Sequence, residues 1–154
     1  MNTRAKNLIA LALFIALVLG GGTAIGLITR PGEWYEALNK PSFNPPNWIF
    51  GPVWSALYLM IAVAGWRIFT RARDSLAMKL WWTQLALNFM WSPVFFAAHQ
   101  IGAAFIVILL MLAAILGFIL IAFPRDRIAA LLFLPYAAWV GFASVLNGAI
   151  WTLN

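Results

Sequence analysis

The sequence predicts an all-α, polytopic membrane protein, a five transmembrane helix bundle forming a single domain over residues 1–154. Two observations predict it. Of 154 residues, 64% are hydrophobic and only 9% are charged, too little polar surface for a soluble domain of this size. Several apolar runs also exceed the roughly 18 residues needed to cross a ~30 Å hydrocarbon core at ~1.5 Å per residue. The runs are continuous rather than alternating, which argues against the ~10-residue strands of a membrane barrel.

The first run gives a span over about 7–28. Arg4 and Lys6 ahead of it and the small residues of GGGTAIG behind it also fit a secretory leader. The run from Leu8 to Ile28 is longer than a leader's apolar stretch, which favours an uncleaved helix. Gly22 and Gly26 within it are a small-xxx-small signal for helix contact.

The first loop, 29–47, is the only long connection. Prolines 31, 41, 45 and 46 stiffen it, and Trp34, Tyr35, Phe43 and Trp48 give it apolar surface to bury, so it reads as a lid on the outer side. PGEWYEAL within it can form a short helix with Glu33 in the first turn. Trp34 and Trp48, taken alone, also fit the aromatic belt at a bilayer interface.

The remaining spans fall at about 48–69, 76–98, 101–123 and 128–151. In the second, Trp54 and Tyr58 are one turn apart. In the third, WWTQLALNFMWSPVFF puts Gln84, Asn88, Trp91 and Phe95 on one face. In the last, LPYAAWVGFASVLN repeats the pattern with Tyr136, Trp139, Ala143 and Asn147. Pro93 and Pro135 lie inside spans and free backbone carbonyls there, so kinks are expected. Any one such face fits interhelical hydrogen bonding. Three together fit an aromatic pocket with a few convergent polar groups, suited to a flat conjugated ligand.

Charge sets the expected orientation. Arg4, Lys6, Arg67, Arg71, Arg73, Lys79, Arg125 and Arg127 share one side, against Arg30 and Lys40 on the other. The positive-inside rule then puts the N-terminus in the cytoplasm and the C-terminus outside, with the bacterial inner membrane as the expected location. The net charge of +6 is thus a topology signal and not a nucleic-acid footprint. With no Cys, thiolate metal sites and Cys nucleophiles are excluded. Glu33, Glu36, Asp74 and Asp126 fall in loops or at span ends, and His99 closes the third span as an interfacial residue. No intramembrane acid–base or metal-ligand set is available, so no catalytic residue, metal or required cofactor is expected.

EWYEALNKPSFNPPNWIFGPVWSALY, QLALNFMWSPVFF and LPYAAWVGFASVLN, in that order, resemble the TspO/MBR family of tryptophan-rich sensory proteins and the translocator protein, also called the peripheral benzodiazepine receptor. The likeness covers nearly the whole chain. It implies a five-helix bundle, commonly a homodimer, whose pocket opens toward the first loop. It implies porphyrin ligands such as protoporphyrin IX and haem, sterols in some members, and isoquinoline or benzodiazepine-type drugs. By motif position the ligand-binding role carries over to Phe50, Trp54 and Tyr58, to Asn88 and Trp91, to Trp139, Phe142 and Ala143, and to Trp34 and Phe43 in the loop. Ser42 and Phe43 stand where many relatives have two aromatics. VLNGAIWTLN lacks the Tyr and basic residue of the animal sterol pattern, itself a weak one.

The expected function is therefore binding of tetrapyrroles and similar planar hydrophobic molecules, for sensing, regulation or transport. Light-dependent porphyrin breakdown using pocket tryptophans, or facilitated transport of hydrophobic small molecules, is the alternative.

Overall fold

The computed structural model describes residues 2–154 and is all-helical. α1 is Thr3–Ile28, α2 is Glu33–Glu36, α3 is Asn47–Ala72 and α5 is Ile101–Ala122. α4 runs Leu76–Ser92 and continues as one wide π-turn, Pro93–Ala97. α6 is Arg127–Leu153, interrupted at Phe133.

Local chemistry explains these ends. The side chains of Asn2, Ser75 and Asp126 accept hydrogen bonds from the N–H groups of Ala5, Met78 and Ala129, capping α1, α4 and α6. Pro93 has no N–H to continue the ladder of α4. The chain widens there, and Ala98 N–H reaches the carbonyl of Pro93 at 2.9 Å, five residues back. His99, at φ 57°, then turns the chain out of the helix in the left-handed region. The break at Phe133 precedes Pro135, which sits in the first turn of the segment beginning at Leu134. Both expected proline irregularities thus take definite forms, a π-turn and a helix break.

α1, α3, α5 and α6 are long and apolar enough to cross a membrane. α4 falls short of the same measure, because only 17 of its residues are α-helical and Lys79, Thr83, Gln84 and Asn88 interrupt its apolar run. The protein is an integral membrane protein with several spanning helices.

The long helices form a ring: α1 against α3, α3 against the first turns of α6, α6 against α5, α5 against α4, and α4 against the last turns of α1. One end of the ring is solid. Phe14, Ile61, Ile68, Trp81, Phe118 and Phe133 are buried there, and Trp81 donates its indole N–H to the Ile61 carbonyl at 2.9 Å. Gly65 permits this: a Cβ at that position would meet the Trp81 ring at 2.3 Å. The other end is hollow and is covered by the loop that carries α2.

Candidate functional site

The hollow end encloses a cavity of about 560 Å³. That lies within the range of small-molecule sites, ~300 to 1,000 Å³. α3 contributes Phe50, Trp54 and Tyr58, α4 contributes Asn88, Trp91 and Phe95, and α6 contributes Trp139, Ala143 and Asn147. Spacing of three and four residues along each helix points these side chains inward together. α1 supplies the fourth wall through glycine: a Cβ on Gly22 would lie 2.4 Å from the Tyr58 ring, so only glycine lets that ring seat against α1. Gly26, one turn on, faces open space in the cavity.

The walls are aromatic and their polar groups are few. Trp54 lies 5.4 Å from Tyr58 and meets Tyr136 edge-on at 6.3 Å, and Trp91 lies 5.2 Å from Phe95. Behind them runs a buried polar relay. Asn88 Nδ2 donates to Tyr136 Oη at 2.7 Å, and Tyr136 Oη donates to Gln84 Oε1 at 2.7 Å. A second link joins Trp91 Nε1 to Asn147 Oδ1 at 3.0 Å, and Asn147 Nδ2 to the Ile101 carbonyl at 3.1 Å. These bonds fix α4, α5 and α6 together and hold the Trp91 and Asn88 side chains in place.

The loop closes the site from above. Tyr35, on α2, is 5% exposed and packs edge-on against Phe95 and Phe96. Burial pushes the pKa of its hydroxyl up, against an opposing contribution from the Asn44 side chain, so the phenol stays neutral. Arg30 and Glu36 are the only charged residues lining the cavity among the described residues, and both sit at this loop end. The loop is pinned at Asn39. Its N–H donates to Asn154 Oδ1 at 2.9 Å, its carbonyl accepts from Asn154 Nδ2 at 2.9 Å, and its own Nδ2 donates to the Leu153 carbonyl at 3.3 Å.

Residues 14–152 match the model of the TspO/MBR family. The chain belongs to that family. Among TspO/MBR relatives, it is 38% identical over 160 residues to the tryptophan-rich protein TspO of Chlorobaculum tepidum, covering 97% of this chain and 98% of that one. It is 34% identical over 145 residues to protein CrtK of Rhodobacter capsulatus, with 92% and 89% covered. It is 35% identical over 127 residues to the translocator protein of Homo sapiens, with 79% and 75% covered.

Seven of the ten residues singled out from the sequence line this one cavity: Phe50, Trp54, Tyr58, Asn88, Trp91, Trp139 and Ala143. Trp34, Phe43 and Phe142 do not. Trp34 stacks on the His99 imidazole at 4.1 Å and meets Phe95 edge-on, at the rim. Phe43 is 46% exposed and meets Phe142 edge-on at 6.3 Å, and Phe142 faces the outside of the bundle. The loop's lining aromatic is Tyr35, because the single turn of α2 points residue 35 inward and residue 34 toward His99. Phe95 and Asn147, which belong to the helical faces legible in the sequence, also line the cavity. Tyr136 stands behind Trp54 as a structural link.

Proposed function

We propose that this protein binds tetrapyrroles such as protoporphyrin IX and haem, and similar planar hydrophobic ligands of the isoquinoline or benzodiazepine type, within the membrane. Such binding would serve porphyrin sensing and regulation or transport. The observation that carries the reading is the set of three indoles, Trp54, Trp91 and Trp139, on the wall of one 560 Å³ cavity. A flat conjugated ring gains stacking from such walls and loses no hydrogen bonds there. Asn88 spends its Nδ2 on Tyr136, so its carbonyl oxygen is the group left to accept from a pyrrole N–H. Arg30 at the loop end supplies a cation for ligand carboxylates.

In the bilayer α4 completes a five-span bundle, its polar positions Gln84 and Asn88 turned inward, with the N-terminus cytoplasmic and the C-terminus and lid outside. The same reading has two copies pairing as a homodimer, which sedimentation of the detergent-solubilised protein would check. The direct test of binding is quenching of tryptophan fluorescence by protoporphyrin IX. The double variant Trp54→Ala, Trp139→Ala is expected to weaken binding by roughly tenfold or more. Unchanged quenching would rule this pocket out.

A second reading, light-dependent breakdown of a bound porphyrin with Trp54 and Trp139 as electron donors, is favoured by the placement of both indoles on the cavity wall. Its test is illumination of the purified complex. Product formation in the wild type that is lost in Trp→Phe variants would support it, and no turnover would end it.

A further inference from the structure

Trp139 separates two spaces. Its indole lines the central cavity and also an open depression of about 490 Å³ on the outside of the bundle, between α3 and α6. The depression is walled by Val53, Ala56 and Met60 of α3 and by Ala138, Trp139 and Phe142 of α6, and no charged side chain lines it. Leu59, Leu134 and Val145 on the same two helices are exposed, as residues facing hydrocarbon would be.

Past Pro135, α3 and α6 scarcely touch, so side chains rather than close backbones shut the seam between them. The shutter is a row of rings. Phe50 meets Trp139 edge-on at 5.8 Å, Trp139 lies 5.6 Å from Phe142, and Phe142 meets Phe43 edge-on at 6.3 Å.

Trp139 is also held differently from Trp66, Trp81 and Trp91. Trp66, Trp81 and Trp91 donate their N–H groups to the Asn7 carbonyl, the Ile61 carbonyl and Asn147 at 2.9, 2.9 and 3.0 Å. The Trp139 N–H is buried and has no acceptor among the described residues. Turning this ring breaks apolar contacts and no hydrogen bond. Opening the loop instead breaks the three hydrogen bonds between Asn39 and the last turn of α6.

We propose that the Trp139 indole is a lateral gate, through which a planar apolar ligand passes between the bilayer and the central cavity along the α3–α6 seam. The proposal rests on the reading that the cavity binds such a ligand. Hydrophobic ligands concentrate in the hydrocarbon phase, and the outer depression offers them an apolar surface that continues into the cavity once one side chain turns.

The test separates rate from affinity. The protein is reconstituted in phosphatidylcholine vesicles, protoporphyrin IX is delivered from a second vesicle population, and tryptophan quenching is followed in time. Ala56→Phe and Ala138→Phe each fill the outer depression from a position that does not line the cavity. Each is expected to slow loading and release by a similar factor, roughly tenfold, with the equilibrium quenching unchanged. That unchanged amplitude also shows that each variant is folded. In parallel, Asn39→Cys and Asn154→Cys are joined by a short thiol cross-linker, the only cysteines in a chain that otherwise has none. Loading at the wild-type rate with the loop tethered supports the gate. Wild-type rates in both filled variants, or loading abolished by the tether, would overturn it. Failure of the wild type to quench at all would overturn the binding reading itself, before any variant is compared.

Discussion

Arg67 and Asp126 are joined end to side: Arg67 Nε donates to both carboxylate oxygens, at 3.1 and 3.0 Å, and Arg71 Nη1 adds a contact at 3.4 Å. The Asp126 side chain is 3% exposed, and its Oδ1 also accepts from Ala129 N–H at 3.0 Å, capping α6. One carboxylate therefore ties the end of α3 to the start of α6. Burial alone would raise its pKa, but the Ala129 N–H, Arg67 and Arg71 together hold it below the ordinary 3.8. A depressed carboxylate contributes stability that is fully present above its unfolded pKa and is lost as pH falls through the folded one. Asp126→Asn keeps an acceptor for the cap and loses the ion pair, and is expected to cost about 1.5 to 3 kcal/mol. Asp126→Ala should cost about 1 kcal/mol more, through the cap. Thermal unfolding in detergent from pH 7 to pH 3 checks both, and the Asn variant should lose less of its stability over the acid end of that range than the wild type.

Gly22 and Gly26 invite opposite outcomes from the same substitution. Gly22→Ala places a methyl group 2.4 Å from the Tyr58 ring and must drive that ring toward the cavity. The expected result is a loss of about 1 to 3 kcal/mol and weaker porphyrin quenching. Gly26→Ala meets nothing within 4 Å, so its stability should hold or rise by up to about 1 kcal/mol. Melting temperatures of the two variants, side by side, decide the matter.

Tyr136→Phe removes the hydroxyl that accepts from Asn88 and donates to Gln84. Both amides stay buried with a partner lost, at a cost of about 1 to 3 kcal/mol. Tyr136 does not line the cavity, so a lower melting temperature with equilibrium quenching nearly intact is the expected pattern. A large loss of quenching at normal stability would instead make the hydroxyl part of the ligand site.

Asn154→Ala removes two of the three bonds that pin the loop at Asn39. Amide hydrogen exchange across residues 36–44 should speed up, while the buried turn around Tyr35 keeps its protection through Phe95 and Phe96. Uniform acceleration across the whole loop would mean that the ring contacts contribute little to holding it.

Helical periodicity made most of the cavity legible. Gln84, Asn88, Trp91 and Phe95, like Tyr136, Trp139, Ala143 and Asn147, stand on single faces because steps of three and four residues return to one side of a helix. Depth along each face is not encoded in that period. Gln84 and Tyr136 therefore became links behind the wall, whereas Asn88 and Trp139 reached the space itself. The loop was harder to read, since one turn of helix decides between Trp34 and Tyr35 and neighbouring aromatics carry no signal of which faces in. Phe142, three residues on from Trp139, falls at the edge of that residue's face and lies on the outside of the bundle. The small-xxx-small pair of α1 signals a helix contact without naming its partner. At Gly22 that contact is the Tyr58 ring of α3, which the glycine spacing alone does not specify.

The π-turn in α1, Ala16–Gly20, shifts the phase of everything after it. An α-helix advances about 100° per residue, and a π-turn accommodates one residue more than an α-turn in the same length of helix. Removing a single residue from Ala16–Gly20 would let α1 run straight and leave its apolar composition untouched. Because that turn is what absorbs the extra residue, Gly22, Gly26 and Thr29 would keep nearly their present phase, and Tyr58 would still face a glycine. For α1, the π-turn is where the chain can change its length by one residue without rotating the cavity wall.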